Sequence, residues 1–316
     1  MITQAKVRRA VIDVGTNSVK LLVADVAGRS VAPFLEKSHQ TRLGARFYET
    51  HLLHRDAIDR TAETVAQFAE EAARWKPESI RVIATSAARD ARNQNELQSA
   101  IQQASGLAVE IISGEQEADW VFAGVTSDPA LAAHPLLILD VGGGSTEFIL
   151  GDGSAQIFRR SFPLGTVRLL ERVRPSDPPR ESEWSACYSQ LNQFLKLEIR
   201  PHLEEPPKQC ASRDLQLVTT GGTSSILAAM QLQLTAFDRA RIEALRLTKE
   251  DVWSRQRHLW SLTLADRKSL IGLPPNRADV ILMGVAILAS VMEEFSFDEM
   301  RVSTRGLRFA AIMDLP

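Results

Sequence analysis

Two short polar segments of the chain have the residue types that bind phosphate groups. Asp13-Val14-Gly15-Thr16-Asn17-Ser18 returns 127 residues later as Asp140-Val141-Gly142-Gly143-Gly144-Ser145, and each copy follows an apolar run. Glycine in a tight turn lets backbone N–H groups approach a phosphate, and the hydroxyls of Ser18 and Ser145 add donors. An Asp that ends a strand can hold the metal ion that offsets phosphate charge. The two segments predict a cleft that binds a polyanion between them.

The repeat carries this interpretation, because either segment alone is weak evidence. Gly, Asp, Asn and Ser are ordinary hairpin residues, so a single copy would more often be a plain turn. At the same spacing Asp25 matches Asp152, and Leu22-Val23 matches Ile149-Leu150, so the likeness extends beyond the turn. Each segment lies between two apolar runs, which is typical of a strand–turn–strand hairpin. We conclude that the chain contains an internal duplication.

Composition limits the class of protein. With 316 residues, 44% of them hydrophobic and 24% charged, the chain is expected to form two globular domains. A formal net charge of −2 argues against a general nucleic-acid or membrane binder, since either would need a basic field. Cys187 and Cys210 fit neither a disulfide framework nor a four-ligand zinc site. A cytoplasmic location is therefore expected.

Two apolar segments bear on targeting and membrane insertion. Lys6, Arg8 and Arg9 lead into an apolar run that Asp13 interrupts, which is too short for a secretion signal. The longest apolar stretch, 280–292, is shorter than the roughly 20 residues that a membrane span requires. We interpret that stretch as a buried helix.

The rest of the chain predicts alternating strands and helices, which is typical of an α/β fold. In the first half we expect helices at 56–75, 93–104 and 113–125, strands at 80–84 and 109–112, and a linker at 127–135. In the second half we expect helices at 181–199, 224–232 and 307–313, strands at 215–219 and 302–304, and a loop at 201–213.

Six ordered motifs resemble those of the exopolyphosphatase/guanosine pentaphosphate phosphohydrolase (Ppx/GppA) family. They are residues 12–18, Thr41-Arg42-Leu43-Gly44, residues 84–93, Ser113-Gly114-Glu115-Gln116-Glu117-Ala118, residues 140–147 and Gly221-Gly222-Thr223. The resemblance implies an α/β fold of two ribonuclease H-like (actin-like ATPase) domains flanking a cleft. The domains would comprise residues 1–126 and 127–305, with 306–316 packing back on the first. Longer members continue into further helical domains, so a grip on very long chains that depends on them is not expected here.

The resemblance also implies roles for particular residues. Glu117 matches the glutamate that activates the attacking water, although a Glu in a first helical turn can simply oppose the helix dipole. Glu115 would be its solvated neighbour. The metal ligands would be Asp13, Asp140 and Glu147, binding Mg²⁺ or another divalent cation. The expected phosphate-binding residues are Gly15, Thr16, Asn17, Ser18, Arg42, Arg89, Gly142, Gly143, Gly144, Ser145, Gly221, Gly222 and Thr223.

Three classes of function remain open at this level. The first is an exopolyphosphatase that releases terminal orthophosphate from inorganic polyphosphate, with guanosine pentaphosphate 5′-phosphohydrolase activity as the alternative. The second is an ATP-dependent small-molecule kinase, and the third is a non-catalytic sensor of polyphosphate or alarmone. The partners expected are inorganic polyphosphate and guanosine pentaphosphate, without nucleic acid or membrane. The oligomeric state is open, with a homodimer as one option.

Overall fold

The computed structural model describes residues 5–153, 155–203 and 215–313. The chain divides into two compact units between Ser127 and Asp128 and again between Thr304 and Arg305. The first unit thus contains residues 5–127 and 305–313, and the second contains the described part of 128–304. The division expected from the sequence, at 126/127 and 305/306, differs from these junctions by one residue at each.

The first unit is built on a five-stranded sheet with the order β3-β2-β1-β4-β5. Its strands are β1 (Val7–Val14), β2 (Val19–Ala27), β3 (Ser30–His39), β4 (Ser79–Ala84) and β5 (Val109–Ile111). The first three form an antiparallel meander, and β4 and β5 run parallel to β1. Because parallel strands end at the same edge of a sheet, the segments that follow β1, β4 and β5 leave from one edge.

Four helices follow the strands of the first unit, and they are α1 (Arg55–Ala73), α2 (Ser86–Asp90), α3 (Gln94–Ser105) and α4 (Gly114–Val125). The apolar residues of α1 at helical spacing, such as Ile58, Val65 and Phe68, are buried, as the sequence predicts. They share one apolar core with Ile12 of β1 and Leu97 of α3. The unit therefore has its own core, with helices packed on the sheet.

The second unit is built on a six-stranded sheet with the order β10-β11-β9-β6-β7-β8. Its strands are β6 (Pro135–Val141), β7 (Thr146–Asp152), β8 (Ala155–Phe162), β9 (Gln216–Thr220), β10 (Arg246–Thr248) and β11 (Glu299–Val302). β6, β7 and β8 form an antiparallel meander, while β9 runs parallel to β6 and β11 parallel to β9. Apart from the added antiparallel β10, this sheet repeats the strand order of the first.

The helices of the second unit cover its larger core. They are α5 (Pro129–Ala132), α6 (Thr166–Val173), α7 (Glu181–Phe194), α8 (Arg200–Leu203), α9 (Gly222–Gln231), α10 (Arg239–Ala244), α11 (Lys249–Ser261), α12 (Leu264–Arg267) and α13 (Ile281–Glu294), with a 3₁₀ turn at Pro275–Arg277. Every residue of α13 from Ile281 to Met292 is buried, which confirms the buried helix predicted from the longest apolar stretch. No helix in the described ranges combines the length and apolar character needed to cross a bilayer.

Two local predictions in this unit are wrong. The helix expected to end near Ile199 continues as a π-helical turn at Leu195–Ile199 and then as α8, which contains Pro201, so this proline does not end the helix. The linker expected at 127–135 contains α5, whose Asp128 caps the helix by accepting a hydrogen bond from Ala130 N. Residues 204–214, most of the predicted loop, lie outside the described residues.

The chain finally returns to the first unit as α14 (Leu307–Met313). Arg308 Nη1 donates to Leu21 O at 3.0 Å, and Arg9 Nη1 donates to Ile312 O at 3.4 Å. A Cβ added to Gly124 of α4 would overlap with Gly306 O, so glycine allows the segment that precedes α14 to approach α4. The last helix thus packs on β1, β2 and α4 of the first unit.

Candidate active site

The first predicted phosphate loop, Gly15–Ser18, joins β1 and β2 of the first unit. Gly15 N donates to Ser18 O at 3.0 Å, which closes the turn. A second segment backs the loop: Gly44 N donates to Thr16 O at 2.8 Å, and Arg42 N donates to Asn17 O at 3.0 Å. The loop carbonyls are therefore hydrogen-bonded by backbone N–H groups of the protein.

The opposite side of this loop carries donors that are left for a ligand. The described residues provide no acceptor for the N–H groups of Thr16 and Asn17. The Asn17 side chain is buried, and its Oδ1 accepts from Gln40 Nε2 at 3.0 Å. Its Nδ2 has no acceptor within the described part of the chain. Since buried donors are nearly always paired, this cluster of donors has the chemistry of an anion site.

Asp13 is the last-but-one residue of β1 and lies beside this loop. Its side chain is buried, and its Oδ1 finds no hydrogen-bond donor in the described ranges. Burial raises the pKa of the Asp13 carboxyl, an effect partly offset by Lys20 and Arg308. A buried carboxylate oxygen without a donor is suited to a hard cation.

Glu117 lies in the first turn of α4, after β5. Ser113 caps this helix by accepting from Gln116 N at 3.1 Å, as the predicted Ser113–Gln116 motif suggests. Glu117 is only 7% exposed, whereas Glu115 on the same turn is exposed. A carboxylate opposing only the helix dipole has no need to be buried. Because Glu117 is buried and Glu115 is not, we expect the Glu117 side chain to have a specific partner.

The structure supplies that partner as Arg89 of α2. Arg89 Nη1 donates to Glu117 Oε2 at 2.8 Å and also to Ile112 O at 3.2 Å. Thr85 N donates to Val14 O at 3.2 Å, so α2 begins directly beside the end of β1. The sheet thus brings the first loop, Arg89 and Glu117 to one edge. The Arg42 side chain, by contrast, is exposed, and it is the Arg42 backbone that contacts the loop.

The second predicted loop, Gly142–Ser145, joins β6 and β7 of the second unit in the same way. Gly142 N donates to Ser145 O at 3.0 Å, the same closing bond as in the first loop. The start of α6 backs this loop: Thr166 N donates to Gly142 O at 3.0 Å, and Val167 N donates to Gly143 O at 2.8 Å. The described residues offer no acceptor for the N–H groups of Gly143, Gly144 and Ser145. Both loops therefore direct carbonyls into the protein and leave N–H groups for a ligand.

Two carboxylates stand beside the second loop, directly opposite each other on β6 and β7. Asp140 is paired in register with Glu147. Glu147 is buried, and its Oε1 accepts from Ser145 Oγ at 2.8 Å and from Ser161 Oγ at 2.7 Å. Glu147 therefore orients the Ser145 hydroxyl at the base of the loop.

The third predicted loop, residues 221–223, lies at the junction of β9 and α9: Gly221 joins the two elements, and Gly222 and Thr223 are the first residues of α9. Gly221 has φ of +92°, and a Cβ there would lie 2.5 Å from Asp140 Oδ1. The positive φ thus favours glycine at this position, and the Asp140 carboxylate lies directly beside it. A Cβ on Gly222 would lie 3.7 Å from Arg277 Nη2, which places an Arg beside the loop. The second unit therefore brings Asp140, Glu147 and two glycine loops together.

Comparisons with known proteins identify the family. Residues 4–315 match the model of the Ppx/GppA phosphatase family. This chain belongs to the Ppx/GppA phosphatase family. It is 32% identical to a protein named exopolyphosphatase 2 from Mycobacterium tuberculosis, over 96% of this chain and 97% of that one.

Solved structures of Ppx/GppA proteins share the fold. A PPX-GPPA enzyme from Aquifex aeolicus is 29% identical with a TM-score of 0.78, covering 98% of this chain and 99% of that one. An exopolyphosphatase from Cytophaga hutchinsonii is 26% identical with a TM-score of 0.84, covering 96% of each chain. The predicted actin-like α/β fold of this Ppx/GppA protein is thereby confirmed.

Sequence reasoning missed the residues that back and orient the Ppx/GppA loops. They are Gln40, Ser161, Gly165, Thr166, Val167 and Arg168. Gly165 carries the one usable signal, because a Pro-Leu-Gly segment directly after a strand indicates a tight turn or a close backbone approach. A Cβ at Gly165 would indeed overlap with the backbone of Gly143 and Gly144. The remaining contacts join residues far apart in sequence and have no local pattern.

The carboxylates beside the loops are suited to a divalent cation whose other ligands come from a phosphorylated substrate and from water. Within the described ranges, no group of three or more His, Cys, Asp or Glu side chains is arranged to hold a metal by itself. Magnesium is commonly bound by one or two carboxylates together with phosphate oxygens and waters. Asp13 Oδ1, which accepts no hydrogen bond from the described residues, is a suitable hard ligand. The residues present are therefore compatible with a metal ion that accompanies a phosphorylated substrate.

Proposed function

We propose that this protein is an exopolyphosphatase, which hydrolyses the terminal phosphoanhydride bond of inorganic polyphosphate. The observation that carries the proposal is the pairing of a buried Glu117 with Arg89 at the sheet edge where the first phosphate loop lies. Membership of the Ppx/GppA phosphatase family and the name of the Mycobacterium tuberculosis relative support the same activity.

Phosphoanhydride hydrolysis needs a positioned water and stabilisation of the phosphoryl oxygens more than it needs covalent chemistry. Glu117 accepts a proton from the water as the water oxygen bonds to the terminal phosphorus. The bridging P–O bond breaks, and the shortened polyphosphate leaves with the bridging oxygen while orthophosphate is released. Arg89 holds the Glu117 carboxylate at 2.8 Å before substrate binds, and a guanidinium can also bind phosphoryl oxygens.

The glycine loops bind the phosphoryl groups in this proposal. The N–H groups of Thr16, Asn17, Gly143, Gly144 and Ser145 serve as donors, together with Asn17 Nδ2. Gly15, Ser18, Gly142 and Gly221–Thr223 complete the phosphate-binding set, and Arg42 belongs to it through its exposed side chain. Oriented donors of this kind stabilise charge that develops on phosphoryl oxygens.

Asp13 and Asp140 are the proposed ligands of Mg²⁺ or another divalent cation, and Glu147 completes the set. A bound divalent cation would neutralise phosphoryl oxygen charge. We also propose the cytoplasmic location and the two domains expected from the sequence. In this proposal the polar loops of each unit bind polyphosphate.

A phosphate-release panel tests the proposal. The substrates are tripolyphosphate, long-chain polyphosphate, guanosine pentaphosphate and ATP, each with MgCl₂ and with EDTA. We expect metal-dependent orthophosphate release from polyphosphate without any acceptor. Guanosine pentaphosphate as the preferred substrate would support the alternative hydrolase instead. Turnover of ATP only when an acceptor is added would identify a kinase, and binding without release would identify a sensor.

A matched pair of variants tests the role of Glu117 in the same assay. Glu117→Gln should lower kcat for polyphosphate by about 10²–10⁴-fold, the usual contribution of a general base, while binding is kept. Glu115→Gln changes an exposed glutamate on the same helical turn and should leave kcat unchanged. Equal turnover in wild type and Glu117→Gln would contradict the assignment.

A further inference from the structure

The second phosphate loop is held from behind through three consecutive carbonyl groups. Thr166 N donates to Gly142 O at 3.0 Å, and the N–H groups of Val167 and Arg168 donate to Gly143 O at 2.8 and 3.2 Å. The Gly144 carbonyl is reached differently, because Arg168 Nε donates to Gly144 O at 2.8 Å. One short segment at the start of α6 therefore satisfies every carbonyl from Gly142 to Gly144.

Because the peptide unit is planar, a hydrogen bond that fixes a carbonyl also fixes the direction of the following N–H group. In a trans peptide unit the C=O and the following N–H point in opposite directions. A carbonyl fixed toward the start of α6 therefore fixes the next N–H away from it. By this rule the carbonyls of Gly142, Gly143 and Gly144 orient the N–H groups of Gly143, Gly144 and Ser145. These are the three N–H groups for which the described residues provide no acceptor.

The third of these peptide units, between Gly144 and Ser145, is held by a hydrogen bond from a side chain. In the first unit the corresponding loop carbonyls of Thr16 and Asn17 accept from the backbone of Gly44 and Arg42. In the second unit the Gly144–Ser145 peptide is held by the half-buried Arg168 side chain. Glycine at 143 and 144 permits peptide rotation at little steric cost, so an external donor is needed to fix the orientation.

We propose that Arg168 is a positioning residue for phosphate binding: its Nε–H holds the Gly144 carbonyl and thereby directs the Ser145 N–H toward a phosphoryl oxygen. The inference rests on the proposed use of this loop for phosphate binding. It assigns to Arg168 a role through the backbone, which differs from direct contact between a guanidinium and phosphate.

Three substitutions separate the two roles because they place different atoms where Nε lies. Gln has its Nε2 donor at the same distance along the side chain as Arg Nε, but carries no charge. Lys keeps the charge and places a carbon at that position, and Met removes both charge and donor. Arg168→Gln should therefore behave like wild type, whereas Arg168→Lys and Arg168→Met should both be impaired.

The experiment measures binding of imidodiphosphate, which has no bridging oxygen to hydrolyse, by isothermal titration calorimetry with MgCl₂. We expect Arg168→Met and Arg168→Lys to weaken binding about tenfold, as for the loss of one hydrogen bond to a charged group. In steady-state assays with tripolyphosphate, the loss should appear mainly in KM. Wild-type affinity in Arg168→Met would overturn the proposal. Wild-type affinity in Arg168→Lys with a loss in Arg168→Gln would also overturn it, in favour of direct charge contact.

Arg172→Met is the matched control, since Arg172 lies one turn further along α6 and is exposed. It should bind imidodiphosphate like wild type, and an equal loss in both Met variants would contradict a specific role for Arg168. If Arg168→Met does not fold, the comparison of Gln with Lys decides by itself. Absence of phosphate release by the wild-type protein would refute the proposed hydrolase, while the binding series would still test Arg168.

Discussion

At the scale of single residues, Asp13 and Asp25 show how one residue type takes opposite roles within one hairpin. Asp25 accepts from Arg8 Nε at 2.9 Å and lies 2.7 Å from Lys6 Nζ, and these hydrogen bonds lower the pKa of its carboxyl. The Asp13 side chain is buried, its Oδ1 accepts no hydrogen bond within the described part of the chain, and burial raises the pKa of its carboxyl. Asp25 is therefore arranged for stability, whereas the unfavourable burial of Asp13 supports its proposed role as a cation ligand.

Asp13→Asn should raise the thermal stability of the protein and weaken the metal-dependent binding of phosphate compounds. Without divalent cations, the substitution removes a buried carboxylate whose Oδ1 has no donor among the described residues, so the thermal midpoint should rise by about 2–4 °C for each kcal/mol relieved. MgCl₂ with imidodiphosphate should raise the midpoint of the wild type and leave that of Asp13→Asn nearly unchanged. Differential scanning calorimetry with EDTA and with MgCl₂ measures both effects. An equal ligand-induced shift in the two proteins would contradict the metal assignment.

Asp25→Asn is the control and should behave in the opposite way. A carboxyl with a lowered pKa in the folded state stabilises the fold above its unfolded pKa, and this contribution is lost as pH falls. Asp25→Asn should therefore lower the thermal midpoint at pH 7, and the difference from wild type should shrink below pH 3.8. Its shift with MgCl₂ and imidodiphosphate should match that of the wild type.

At the scale of elements, each predicted phosphate loop is held by hydrogen bonds from a second segment that lies apart from it in sequence. Residues 42–44 back the first loop, and residues 165–168 back the second. The glycines of these segments are needed for close approach, since a Cβ at Gly44 would overlap with the Thr16 side chain and one at Gly165 with the backbone of Gly143 and Gly144. The loop and its backing segment therefore form one structural unit.

Gly165→Ala should displace the second loop. Because the added methyl group meets backbone rather than a flexible side chain, we expect a stability loss of about 1–3 kcal/mol together with at least a tenfold loss in kcat/KM for polyphosphate. Urea unfolding and steady-state kinetics measure the two effects. Gly106→Ala controls for backbone strain alone, because Gly106 has φ of +72° with no atom within 4 Å of the added Cβ. It should lose stability without a change in kinetics, and unaltered kinetics in Gly165→Ala would contradict the coupling.

The sequence predicted the elements better than their contacts. The loops could be predicted because the duplication repeats a local pattern, and the buried faces of α1 and α13 could be predicted from the spacing and length of their apolar residues. The bond from Arg89 to Glu117 joins residues 28 positions apart, and Ser161 and Glu147 meet only because β7 and β8 pair. Such contacts depend on tertiary structure, so no local pattern could reveal them.

At the scale of the whole molecule, the repeat seen in the sequence is a repeat of architecture. Both sheets contain an antiparallel meander followed by two parallel strands, and in each the loop after the first strand has the same closing hydrogen bond. Each unit also has an apolar core of its own. The second unit adds β10 and most of the helices. The two units thus contain similar glycine-containing loops, and a different segment backs each of them.

The central claim is that the outward N–H groups of both loops bind polyphosphate. Hydrogen exchange of Glu117→Gln with long-chain polyphosphate and MgCl₂ tests it most directly, since the variant should bind without turnover. We expect slower exchange in peptides containing residues 16–17 and in those containing residues 143–145, with residues 151–153 unchanged. Protection of only one loop, or of neither, would contradict the claim.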